Sequence, residues 1–89
     1  MGLHQSHPAI IKRLKRTSGH LKSVIHMLED KRSCLEIAQQ LQAVEKAIIS
    51  AKKTLVRDHV DHCLEHAVEG DPKASKNSVA EFKEITKYL

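Results

Sequence analysis

From Ser33 to Glu69 the chain runs without a single glycine or proline. Ser33-Cys34-Leu35-Glu36 opens this stretch as a capping box, in which serine and glutamate side chains satisfy the first orphan N–H groups of a helix. At about 100° per residue from Ile37, the apolar residues Leu41, Val44, Ile48 and Leu55 stay within about 40° of one line. An amphipathic helix over 34–69 is therefore predicted. In a chain of 89 residues, that helix has more apolar surface than its short neighbours can cover. At least a dimer is expected.

Two shorter patterns flank it. Between Ala9 and Leu28, the residues Ile10, Leu14, Leu21, Val24, Ile25 and Leu28 recur at threes and fours, and Pro8 suits the first helical position. A helix over 8–30 follows, with Gly19 as a weak point inside it. Gly70-Asp71-Pro72 ends the long helix. Ser78-Val79-Ala80-Glu81 reads as a second capping box, opening a tail helix over 79–89 through Val79, Phe82, Ile85 and Leu89. The expectation is a single all-α domain over 1–89, a three-helix subunit.

Composition removes several function classes. Phe82 and Tyr88 are the only aromatic residues, so there is no platform on which unpaired bases could stack. Two cysteines cannot form a disulfide framework. No signal peptide follows Met1, and no apolar run approaches the ~20 residues needed to span a membrane. A cytoplasmic protein with reduced thiols is expected. No nucleophile–base pair, glycine-rich oxyanion loop or paired carboxylates point to an enzyme.

The net charge of +4 is unevenly placed. Residues 1–32 hold seven Lys/Arg against two acids, whereas residues 33–70 hold four against six. The excess lies in Lys12, Arg13, Lys15, Arg16 and Lys22. At helical spacing Lys12, Lys15, Arg16 and His20 fall near one face, with Arg13 beside it. Such a face is either solvated surface or a patch that gains affinity by displacing counterions from duplex DNA. Composition alone leaves both open.

The sharpest chemical signal lies near the end of the long helix. His59, His62, Cys63 and His66 stand at i, i+3, i+4 and i+7, continuing its apolar stripe. Imidazole and thiolate suit Cu, Zn, Ni or Co rather than Mg or Ca. Cys34 sits at the other end, roughly 37 Å from His59 along a continuous helix. One chain cannot bring the two onto one ion. Two long helices paired antiparallel can, setting Cys34 of one subunit against His59 and Cys63 of the other.

At these residues the chain resembles the CsoR/RcnR family, the bacterial copper-sensitive operon repressors and their nickel–cobalt relatives. The resemblance covers nearly the whole chain. It rests on the basic run Lys12–Arg16, on Gly19, on Cys34 followed by Ile37-Ala38-Gln39-Gln40-Leu41, and on His59 with Cys63. It implies an antiparallel four-helix-bundle dimer, assembling as a dimer of dimers. It further implies that the apo protein binds operator DNA and lets go when metal binds between subunits. Cys34, His59 and Cys63 would be the metal ligands, and Lys12, Arg13, Lys15 and Arg16 would meet DNA phosphates.

Copper members of the family resemble this Cys-His-Cys set, and they often carry a tyrosine just before the first cysteine, where Ser33 stands here. Nickel–cobalt members add an N-terminal histidine. In strict register that position is Gly2, but His4 and His7 lie close by, and His62 is a further candidate donor. The run from His7 through Ala47 resembles the nickel–cobalt subgroup more closely, so Ni(II)/Co(II) is slightly favoured over Cu(I). The competing reading from another class is a cytosolic metal-storage or delivery protein whose basic helix is only a soluble face.

Overall fold

The computed structural model describes residues 5–67 and 72–89, with side chains over 5–65 and 76–89. Three helices account for nearly all of them: α1 (His7–Glu29), α2 (Cys34–Ala67) and α3 (Pro72–Ile85), the last followed by a 3₁₀ turn over Thr86–Tyr88. No strand occurs among the described residues. The expected all-α, three-helix subunit is the architecture found.

Two compact units share α2. One comprises Pro8–Lys52; the other comprises Lys53–Leu89 with the N-terminal residues up to His7. The core of the first unit is Val24 of α1 against Ile37 and Val44 of α2, with Met27 packed on it. Thr17, also buried, directs its hydroxyl to the Arg13 carbonyl at 2.9 Å, so it carries no unsatisfied donor inward. Polar ties join the same two helices at their margins. The Arg13 guanidinium donates to the Ser50 hydroxyl, and His20 Nε2 lies 2.6 Å from Gln40 Oε1.

The corner between α1 and α2 follows from its local hydrogen bonds. Arg32 N–H donates to the Met27 carbonyl at 3.0 Å and Lys31 N–H to Leu28 at 3.2 Å, the paired bonds of a Schellman motif. That motif needs a left-handed residue, and Lys31 adopts it with φ 57°. Ser33 then caps α2, its hydroxyl accepting the Glu36 N–H at 3.1 Å. Arg32 pairs with Glu36 across the same first turn.

The apolar stripe of α2 divides in two. Ile37, Val44 and Ala51 are buried, whereas Leu41, Ile48 and Leu55 remain 44%, 48% and 38% exposed. The predicted end of α2 at residue 69 lies outside the described residues. The start of the last helix differs from expectation: α3 begins at Pro72, and the supposed capping box at Ser78 lies inside it. Pro72 fits the first helical position, where no N–H is needed. Ser78 is 8% exposed, a buried mid-helix residue. Among the described residues, no helix is long and apolar enough to cross a membrane.

Candidate metal centre and basic helix face

In the unit formed by the later part of α2 with α3, helical spacing sets His59 and Cys63 one turn apart on α2. Glu81 reaches them from α3. His59 Nε2 lies 3.2 Å from Glu81 Oε2, and Cys63 Sγ lies 4.0 Å from the same oxygen. One donor atom from each of the three residues lies within 4.8 Å of the others. A carboxylate only accepts, so in neutral His59 the proton sits on Nε2 and the lone pair on Nδ1. Imidazole, thiol and carboxylate so gathered form a donor set suited to a borderline divalent ion.

Burial divides these groups by role. Cys63 is 3% exposed, and His59 is about a quarter exposed while Glu81 stands largely in solvent. Burial pushes the Cys63 thiol above its ordinary pKa, and the negative charge of Glu81 adds to the rise. A cation arriving beside the sulfur reverses that balance, because it favours the thiolate. A groove of about 420 Å³ adjoins the cluster, lined by His59, Glu81, Glu84, Ile85, Tyr88 and Ala80. Ion access is therefore available from the α3 side.

The expected ligands fare unequally. His59 and Cys63 come together as the spacing predicts. Cys34 is exposed at the start of α2 and is not part of their cluster. The His62 ring lies beside that of His59, with centroids 6.5 Å apart and planes tilted 47°, and supplies no atom to the cluster. His7 begins α1 and is half-buried. Its neighbour Ser6 donates to Asp58 Oδ2 at 2.5 Å, which ties Ser6 to α2 one residue before His59. His4 and the His66 side chain lie outside the described residues. Glu81 escaped sequence reasoning because it lies 18 residues beyond Cys63, on another helix. The Ser78–Glu81 pattern includes it, but as a cap and not as a partner of Cys63.

On α1, Lys12, Lys15 and Arg16 are exposed. Arg13 is also exposed, but its guanidinium is engaged with Ser50. The sole acid of α1, Glu29, pairs with His26 at 3.2 Å at the helix end. The rest of the helix thus offers uncompensated positive charge along one side.

Residues 6–88 match a protein family described as metal-sensitive transcriptional repressor. The copper-sensing transcriptional repressor RicR of Mycobacterium tuberculosis is 34% identical over 74 residues, 82% of this chain and 77% of that protein. The copper-sensing transcriptional repressor CsoR of Bacillus subtilis is 34% identical over 80 residues, 88% of this chain and 79% of its own length. Among solved structures, the nickel-responsive transcriptional regulator InrS matches with a TM-score of 0.81 and 29% identity, covering 98% of this chain and 97% of that one. These are transcriptional regulators, not enzymes. A helical fold, an imidazole–thiol–carboxylate cluster and a match over almost the whole length converge: the chain belongs to the CsoR/RcnR family of metal-sensing transcriptional repressors.

Proposed function

We propose that the apo protein binds operator DNA in the cytoplasm through the basic face of α1, and that Ni(II) or Co(II) releases it. The observation that carries this reading is the gathering of His59 and Cys63 one turn apart on α2, with the Glu81 carboxylate against the imidazole. His59 and Cys63 would hold the ion with Cys34 of a second subunit, while Glu81 fixes the imidazole from behind. Such a bound ion supplies a bridge between chains, and no covalent chemistry.

The exposed apolar row on α2 supports the paired arrangement. Cys34, Leu41, Ile48, Leu55 and His62 recur every seven residues, with Ile48 at the midpoint. Two copies crossing antiparallel at Ile48 would lay Cys34 of each opposite the His62 region of the other. A groove of about 580 Å³ along this row, lined in part by Ala38, Leu41, Ile48 and Ile49, is the surface such pairing would fill. Two intersubunit sites per dimer follow from the two-fold, and a dimer of dimers would gather more basic helices on one duplex.

Nickel or cobalt is favoured because the Ser6–Asp58 bond holds Ser6, the neighbour of His7, to the stretch of α2 that carries His59. His7 or His4 would then add a nitrogen donor. A Cu(I) reading is favoured by the two copper-sensing relatives and by the softness of two thiolates with one imidazole.

Release follows from linkage. An ion that binds the DNA-incompetent arrangement more tightly must weaken DNA affinity by the same factor. The test is anisotropy of a labelled duplex from the promoter the protein controls, with Ni(II), Co(II) or Cu(I) titrated into the reduced complex. Release by nickel or cobalt at lower occupancy than copper supports the proposal, and replacing His4 and His7 together should blunt it. Release by Cu(I) alone makes copper the signal. A duplex that stays bound with every metal favours storage or delivery.

A further inference from the structure

Gly19 stands in the middle of a 23-residue helix. Glycine there weakens a helix, because it has the most backbone freedom to lose. Interior glycines are often kept because a neighbouring element leaves no room for a side chain. That reason does not apply within this chain. A Cβ built on Gly19 meets nothing within 4 Å, and the residue is exposed. The space above it is empty among the described residues, so nothing within them requires the bare backbone.

The position on α1 sets Gly19 within the basic face. With Val24, which faces α2, taken as zero and about 100° per residue, Gly19 falls at about 220°. Lys15, Lys12 and Arg16 lie at about 180°, 240° and 280°, and Lys22 at about 160°. The exposed apolar residues Leu28, Leu21, Leu14, Ile25 and Ile11 lie at about 40°, 60°, 80°, 100° and 140°, centred well round the helix. A second copy of the chain covering those apolar groups would sit away from Gly19. The glycine is instead a notch at the centre of the basic face, with long cationic side chains on either side and only Ser23 one turn on.

We infer that Gly19 is a DNA-contact position: its missing side chain lets the duplex backbone seat against α1 while Lys12, Lys15, Arg16 and Lys22 close on its phosphates. This rests on the DNA-binding role proposed for that face. Phosphate contacts are short and directional, so a group wedged between helix and backbone lengthens several at once. A rigid duplex cannot bend round the obstacle. A flexible polyanion can.

The experiment compares the parent with Gly19→Ala and Gly19→Gln, using a labelled random-sequence duplex and, separately, inorganic long-chain polyphosphate, each over a range of salt. Circular dichroism, thermal midpoint and nickel titration check fold and metal site. Both variants should keep or raise the parent's thermal midpoint, since alanine and glutamine are better helix formers, and should bind nickel as the parent does. Duplex affinity should fall with side-chain size, by about tenfold or more for glutamine, comparable with losing one charge-assisted contact. Polyphosphate affinity should stay within about twofold of the parent, because the charges are unchanged. Variants that are as stable as the parent and bind the duplex equally well overturn the notch and leave the basic face intact as the DNA surface. A parent that shows no salt-dependent duplex binding overturns both. Equal losses on duplex and polyphosphate reduce Gly19 to a general effect on the charged face and also overturn the inference.

Discussion

The two halves of α2 use one periodicity for different ends. In the first half Ile37, Val44 and Ala51, seven apart, are buried, and Leu41, Ile48 and Leu55 form an open row beside them. In the second half burial moves to Val56 and Cys63, again seven apart, and the continuation of the open row is His62. Hydrocarbon in one half gives way to sulfur and nitrogen in the other, without any break in the helix. Packing asks only for volume and shape, so the first half can exchange one apolar residue for another at modest cost. A metal needs particular electron pairs, so in the proposed role the second half could not.

The largest effect should expose that asymmetry. Cys63→Ala removes a buried sulfur donor and should abolish tight metal binding, read by competition against a chromogenic chelator. Cys34→Ala should do the same if the ion bridges two subunits. Val44→Ala, at the matching depth of the first half, should instead lower stability by about 2–3 kcal/mol while the folded protein keeps its metal affinity. Parent-like affinity in Cys63→Ala would erase the distinction between the halves.

A charge in the open row tests what covers it. Ile48→Glu would place two carboxylates face to face at the crossing point of a two-fold pair, in a groove whose lining among the described residues carries no cation to meet them. Sedimentation should show dissociation at concentrations where the parent is assembled. An unchanged assembly would mean that copies pair through another surface.

How far the sequence revealed this arrangement varied by element. Pro8 and the Ser33 cap marked the starts of α1 and α2 to within a residue, because both signals are local and chemically specific. The same local logic failed at α3. Pro72 signals the end of one helix but also opens the next, and Ser78 has the composition of a cap in a place where the helix is already formed. His59 and Cys63 were legible because a helix turns sequence spacing into proximity. Glu81 was not, since no periodicity links residues on different helices. The division of the apolar stripe into buried and open rows also required knowing which side α1 takes.

Glu81 provides an intermediate effect. Glu81→Gln leaves the side chain's shape but removes the charge that favours a donating Nε2–H on His59, and should weaken metal binding about 10–100-fold. It should also bring the Cys63 thiol part of the way down, leaving the rise due to burial. In the parent, metal uptake must expel that thiol proton, so apparent affinity should fall by about tenfold per pH unit on acidification for this one group. The apo fold behaves in the opposite sense. Its stability is indifferent to this thiol below the ordinary thiol range and declines as pH rises towards the raised value, because the folded state resists ionising it. Equal pH slopes above and below the thiol range would remove Cys63 from the linkage.

The smallest effects concern the corner that starts α2. Lys31 holds a left-handed conformation that costs a non-glycine residue roughly 1–2 kcal/mol. Lys31→Gly removes that cost but gives the unfolded chain more freedom, so the net gain should be about 0.5–1 kcal/mol, a rise of a few degrees in thermal midpoint. Ser33→Ala should move stability the other way by about 1 kcal/mol, since the Glu36 N–H loses its acceptor. Both changes lie next to Cys34, which makes them more than a stability exercise. If the corner merely ends one helix and starts another, each variant should bind metal as the parent does. If it also sets the direction in which Cys34 is presented to a second subunit, Ser33→Ala should fray the first turn and weaken metal binding, whereas Lys31→Gly, which keeps the Schellman bonds, should not. A loss of metal affinity in Lys31→Gly, with stability raised, would show that a rigid lysine corner is needed to place the thiol.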